Sequence, residues 1–137
     1  MDEVTIYTDG ACSPNPGRGG WAAVLQCGDF RKEIYGWQDS TTNNRMEMTA
    51  VIKALSMLKR PCKVKLYTDS MINIYTCKAG QRKLDKRKNL DLVLPIMALC
   101  QIHDVETIWV KGHNGNCWNE RCDQLSVWAM KSMKSSE

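Results

Sequence analysis

Four acids in this chain stand where carboxylates can do chemistry. Asp9 closes the run Val4-Thr5-Ile6-Tyr7-Thr8, and Asp69 closes Val64-Lys65-Leu66-Tyr67-Thr68; each run ends in Thr-Asp. Glu47 is placed in the first turn of a helix beginning near Arg45, and Asp123 on the polar edge of a helix beginning near Trp118. A carboxylate among apolar neighbours is costly unless something neutralises it, and a metal ion does so well. Converging carboxylates repel one another unless they are protonated or bridged by cations. Oxygen-only ligands with open positions suit Mg²⁺ or Mn²⁺ rather than zinc. Two such ions about 3.5–4 Å apart support in-line displacement at phosphorus. Each acid also has an ordinary explanation: loop capping at Asp9, helix-dipole compensation at Glu47, a surface pair with Arg121 at Asp123. From spacing alone the reading stops at a candidate metal-dependent phosphotransfer site. His113, in a glycine-flanked loop, either moves protons near neutral pH or is an exposed loop histidine.

The elements that must bring these residues together are legible in the periodicity. Strands are expected over 4–10, 20–27 and 31–37, the last two joined by the hairpin signal Gly28-Asp29. Ser40-Thr41-Thr42-Asn43-Asn44 offers caps for a helix over 45–58, with Met48, Val51, Ile52, Leu55 and Leu58 at helical intervals and Pro61 beyond its end. A strand over 64–68 follows, then a short helix over 71–77 stopped by Gly80, and a basic connector to Lys88. A helix over 90–102 carries Pro95, which implies a kink or an offset start. A strand over 105–110, a loop over 112–116 and a helix over 118–130 complete the chain, with a polar tail expected to fray from about 132. The order is β-β-β-α-β-α-α-β-α. Strands that alternate with helices join a sheet in parallel. The expected class is α/β: a mixed five-stranded sheet, three antiparallel N-terminal strands plus two parallel ones, with helices on both faces. Ligands bind at the carboxyl ends of strands in such sheets, so Asp9 and Asp69 meet there if the first and fourth strands are parallel neighbours.

The 137 residues suit one domain, 1–137. No apolar run approaches transmembrane length and no signal peptide precedes Asp2, so a soluble, unexported, cytoplasmic protein is expected. Seven scattered cysteines without a CxxC pair read as reduced thiols. A zinc site from His113, Cys117 and Cys122 matches no standard spacing. The formal charge of +4 is mild, but Lys78, Arg82, Lys83, Lys86, Arg87 and Lys88 gather with Asp85 as the only acid among them. Such a run is either a solvated loop or a surface for a polyanion.

Tyr7-Thr8-Asp9-Gly10-Ala11-Cys12, Asn15-Pro16-Gly17, Gly19-Gly20-Trp21, Thr42-Asn43-Asn44-Arg45-Met46-Glu47, Thr68-Asp69-Ser70, Trp109-Val110-Lys111-Gly112-His113 and Asn119-Glu120-Arg121-Cys122-Asp123 closely resemble type 1 ribonuclease H. The motifs occur in the family's order and span almost the whole chain. The resemblance implies a ribonuclease H-like fold and endonucleolytic hydrolysis of the RNA strand of an RNA–DNA hybrid, leaving 5′-phosphate and 3′-hydroxyl ends. It implies that Asp9 bridges two Mg²⁺ ions, with Mn²⁺ as an alternative. Glu47 and Asp69 would complete the ion on the leaving-group side, and Asp123 would help hold the ion that activates water. His113 matches a mobile histidine that assists proton transfer or product departure. Asn15, Asn43 and Asn44 match readers of the minor groove, where the 2′-hydroxyl separates RNA from DNA. Thr42 and Asn89, helped by Arg45, resemble a pocket for a DNA phosphate, and Cys12 falls at a groove contact. A monomer without a protein partner and salt-sensitive binding are expected.

The chain departs from some relatives between Cys77 and Lys88. They carry an extra helix and a basic, tryptophan-containing protrusion; here the region is shorter, lacks tryptophan and stays basic. Met71 stands where some members have glutamine. A non-catalytic binder on the same scaffold is the second reading, but it gains nothing from four acids facing phosphates. An exonuclease is the third, and Ala11 occupies the place of its second acid.

Overall fold

Alternating β-branched and aromatic residues put the first run of the chain into a strand, β1 (Asp2–Cys12), at the centre of a sheet. The computed structural model describes residues 1–78, 88–110 and 116–133. Along them follow β2 (Gly17–Cys27), β3 (Phe30–Thr41), α1 (Asn43–Ser56), β4 (Cys62–Thr68), α2 (Met71–Lys78), α3 (Leu90–Ile102), β5 (Asp104–Trp109) and α4 (Cys117–Ser132). The strands lie in the order β3-β2-β1-β4-β5. β1, β2 and β3 are antiparallel neighbours, while β4 runs parallel to both β1 and β5. This is the mixed sheet expected from the order of elements. In the β1–β4 register Tyr7 faces Tyr67, and continuing it by two residues sets Asp9 beside Asp69.

Strand alternation sorts the apolar side chains onto two faces. Val4, Ile6, Leu25, Val64 and Leu66 meet Val51 and Leu55 of α1 and Ile96 of α3. Burying each such side chain contributes about 1.5–3 kcal/mol. On the other face Ala22 and Val24 meet Cys122 and Leu125 of α4. That helix lies close on β2: a Cβ at Gly20 would fall 2.1 Å from the Ser126 carbonyl oxygen. The approach brings Asp123 to the sheet. All seven cysteines are free thiols. Among the described residues no helix is long and apolar enough to cross a membrane.

The strands run longer than expected because pairing continues past the apolar core. β2 starts at Gly17 and β3 reaches Thr41, which pair across a register shift that sets Asp39 and Ser40 of β3 against Arg18 of β2. In the hairpin Gly28 takes φ +60, a left-handed conformation that favours glycine. α1 is displaced two residues toward the N-terminus of the expected 45–58. Thr42 is the cap that wins: it is extended, and its Oγ1 accepts from the Arg45 N–H at 3.2 Å. Glu47 therefore lies beyond the first turn, which holds no acid, and helix-dipole compensation does not account for it. Pro95 neither offsets nor ends α3, which starts at Leu90 and continues through it. The carbonyl that Pro95 leaves without its helical partner belongs to Asp91, in the exposed first turn. α4 continues to Ser132, at the point where the tail was expected to fray. The basic connector with its Gly80 stop falls mostly on 79–87, the His113 loop on 111–115 and the end of the tail on 134–137, all outside the described residues.

Candidate active site

Asp9 on β1 and Glu47 on α1 are 2% and 3% exposed, and Asp69, just past β4, is half-buried. Oxygens from the three carboxylates lie within 4.8 Å of one another. The Gly10 N–H donates to Asp9 Oδ1 at 2.9 Å and to Glu47 Oε1 at 2.8 Å. Asp123, half-buried on α4, stands outside this close group but lines the same cleft of about 540 Å³. Asn43, Asn44 and Met71 line it too.

Burial pushes the Glu47 carboxyl well above its ordinary value, the charges of Asp9 and Asp69 push the same way, and the Gly10 N–H opposes them. No lysine or arginine is among the described residues lining the cleft. Glu47 Oε2 is buried without a hydrogen-bond donor among the described residues. Crowded hard oxygens with a buried lone pair unanswered are what a small divalent cation relieves. The donor set fits Mg²⁺ or Mn²⁺, and the triad can hold a metal ion.

Of the described residues singled out as substrate contacts, Asn43 and Asn44 enter the cleft lining. Asn15 Oδ1 accepts from the Asn43 N–H at 3.2 Å, which ties its loop to the first residue of α1. Arg45 forks onto Asp91 at 2.9 and 2.6 Å and reaches Asn89 Oδ1 at 3.3 Å. Asn89 is left-handed, with φ 56. Thr42, Arg45 and Asn89 thus meet where α1 and α3 begin. The Cys12 thiol lies among the carbonyls of Pro14, Gly17 and Thr41 at 3.3 to 3.6 Å. His113 lies outside the described residues.

One minor expectation is corrected. Arg121 pairs with Glu33, at 2.8 Å, rather than with Asp123. The buried Cys122 thiol donates to the Tyr7 carbonyl at 3.3 Å, while Cys117 is exposed. Among the described residues the acids form the only close metal-ligating group. Sequence reasoning missed Asp91 and Asn73. An acid in the first turn of the 90–102 helix, and an amide between two isoleucines in the 71–77 helix, were the available signals.

The RNase H family model matches residues 1–131. The chain is 49% identical to the ribonuclease H of Cupriavidus necator, covering 97% of this chain and 99% of that one. The chain belongs to the ribonuclease H family. This ribonuclease H is also 42% identical to the ribonuclease HI of Helicobacter pylori, over 99% of each chain, and is of type 1. Its fold matches that of LC11-RNase H1, solved in complex with an RNA/DNA hybrid, with a TM-score of 0.70 at 23% identity over 93% of this chain and 96% of that one. The chain is an enzyme, a hydrolase of the ribonuclease H class. Its acidic triad is the place where ribonuclease H chemistry can hold a metal.

Proposed function

We propose that the protein cuts the RNA strand of RNA–DNA hybrids internally by a two-metal-ion mechanism, leaving 5′-phosphate and 3′-hydroxyl ends. The convergence of Asp9, Glu47 and Asp69 oxygens within 4.8 Å, with Asp123 in the same cleft, supports this most directly. Family membership, and a structural neighbour solved with a hybrid, point the same way. Asp9, Glu47, Asp69 and Asp123 would hold two Mg²⁺ ions, or Mn²⁺ in their place. When bound, the ions supply Lewis-acid stabilisation at the phosphate and a water of lowered pKa.

The chain's own groups orient the substrate and move the proton. Asn43 and Asn44 line the cleft, and Asn15 is fixed against Asn43, so their amides offer both donors and acceptors to a minor groove. The 2′-hydroxyl is itself donor and acceptor, which lets such amides separate RNA from DNA. Thr42, Arg45 and Asn89, where α1 and α3 begin, take a phosphate of the DNA strand: a helix N-terminus favours an anion, and a guanidinium binds it with two N–H groups. Cys12 touches the groove beside them. His113 carries a proton at the scissile phosphate or eases product departure. Residues 1–137 act as one catalytic domain, a monomer, in the cytoplasm, where seven free thiols stay reduced.

The test is cleavage of end-labelled and end-blocked hybrid, duplex DNA and duplex RNA with titrated Mg²⁺ and Mn²⁺. Internal cuts confined to the RNA of the hybrid are expected, and Asp9→Asn should remove them without unfolding the protein. Equal cutting of all three substrates, or none, would contradict the assignment.

A further inference from the structure

We infer that Asn73 is a positioning residue: it ties the strand end that carries Asp69 to the helix turn that carries Glu47, and so sets how tightly the acidic site takes up a divalent ion. The inference rests on the metal reading above. Asn73 lies on α2 and is 0% exposed. Its Nδ2 donates to the main-chain carbonyl of Glu47 at 3.1 Å and to Thr68 Oγ1 at 3.3 Å. The same Thr68 hydroxyl oxygen accepts from the Ser70 N–H at 3.1 Å, across the turn that holds Asp69. One amide therefore spans the two segments from which Glu47 and Asp69 arise.

Packing alone does not call for an asparagine here. Asn73 Oδ1 is buried and has no hydrogen-bond partner among the described residues. A buried amide with an unanswered oxygen works against stability, and a valine of similar width would avoid it. The amide has a different use beside this site. Three close carboxylates repel, and the amide bonds the segments of Glu47 and Asp69 to each other against that repulsion. Groups that orient metal ligands from behind change metal affinity about 10–100-fold when removed.

The test compares the full chain with Asn73→Val, which deletes the donor and keeps apolar bulk, and Asn73→Thr, whose hydroxyl can still donate to Thr68. Mn²⁺ affinity is measured by calorimetry, melting is followed in EDTA, and the Mg²⁺ needed for half-maximal hybrid cleavage is measured alongside the KM for hybrid. Asn73→Val should melt no lower than wild type in EDTA, yet bind Mn²⁺ at least about 10-fold more weakly. It should need correspondingly more Mg²⁺, with KM for hybrid at saturating Mg²⁺ unchanged, and Asn73→Thr should recover part of the loss. Asn73→Ala carries the same comparison if Asn73→Val does not fold. A variant that binds Mn²⁺ as wild type does, or that loses affinity only in step with melting temperature, overturns the inference. Absence of Mn²⁺ binding by wild type overturns the metal reading first and this inference with it.

Discussion

The Gly10 N–H donates to Glu47 Oε1 at 2.8 Å, and a Cβ on Gly10 would lie 2.6 Å from the Glu47 main-chain nitrogen. β1 and α1 therefore touch backbone to backbone beside the acids, and only glycine allows it. Gly10→Ala must push α1 off the strand, because the clashing atoms belong to main chain and cannot rotate away. The expected loss is about 1–3 kcal/mol of stability, the usual range for overpacking. Urea unfolding reads that loss. Initial cleavage rates should fall much further than the loss of folded protein explains, since Glu47 moves relative to Asp9. A fully active Gly10→Ala enzyme would show that the close approach does not govern the site.

Metal and pH should act on stability together. Burial and the charges of Asp9 and Asp69 hold the Glu47 carboxyl well above its usual range. A carboxyl raised in the folded state contributes stability that is full below its unfolded value, about 4.3, and is lost as pH rises through the folded value. In EDTA the melting temperature of wild type relative to that of Asp9→Asn should therefore fall as pH goes from about 5 to about 8. Mg²⁺ binds the deprotonated carboxylates, so it should restore most at the alkaline end. Asp9→Asn removes one repelling charge at constant shape: it should melt higher than wild type in EDTA and respond little to Mg²⁺. Calorimetric scans with and without Mg²⁺ check both, and equal Mg²⁺ shifts in the two proteins would refute the electrostatic account.

A second titration lies at the other end of the sheet. The Cys62 N–H donates to His103 Nδ1 at 3.1 Å, and His103 is buried. That geometry requires the neutral ring, and burial lowers the His103 pKa. A histidine depressed in the folded state contributes stability present above its unfolded value, about 6.5, and lost as pH falls through the folded value. His103→Asn keeps an acceptor for Cys62 and does not titrate. Its unfolding free energy should fall less steeply below about pH 6.5 than that of wild type. Identical acid slopes would remove His103 from the list of acid-sensitive groups.

How far the sequence carried depended on the range of each interaction. Asp9 and Asp69 end two alternating runs, and a crossover into a parallel neighbour leaves few topologies, so their meeting was readable. The start of α1 was not, because five cap-forming residues from Ser40 to Asn44 compete and the choice of Thr42 is made together with the packing of Met46 and Glu47 on Gly10. Arg121 looked like a partner for Asp123, yet residues two apart on a helix do not face each other, and Arg121 instead reaches Glu33 across the sheet. Asn73 escaped for a like reason. One of its acceptors is a main-chain carbonyl 26 residues away, which no side-chain pattern records.

Arg45 and Asp91 offer the last prediction. Both Nη groups of Arg45 are engaged by Asp91, whose carboxyl is drawn below its usual range by those bonds. A DNA phosphate bound at Thr42, Arg45 and Asn89 needs the same fork, so Asp91 competes with it. Asp91→Asn should therefore tighten hybrid binding at low salt and steepen the salt dependence by about 0.9 in log K against log salt, the increment for one added cation–phosphate contact. Arg45→Ala should weaken binding and flatten the slope by a similar amount, and the double variant should behave as Arg45→Ala alone. Fluorescence anisotropy in the Asp9→Asn background measures this without cleavage. If Asp91→Asn instead weakens binding as Arg45→Ala does, Asp91 serves to aim the guanidinium at the phosphate and does not hold it back.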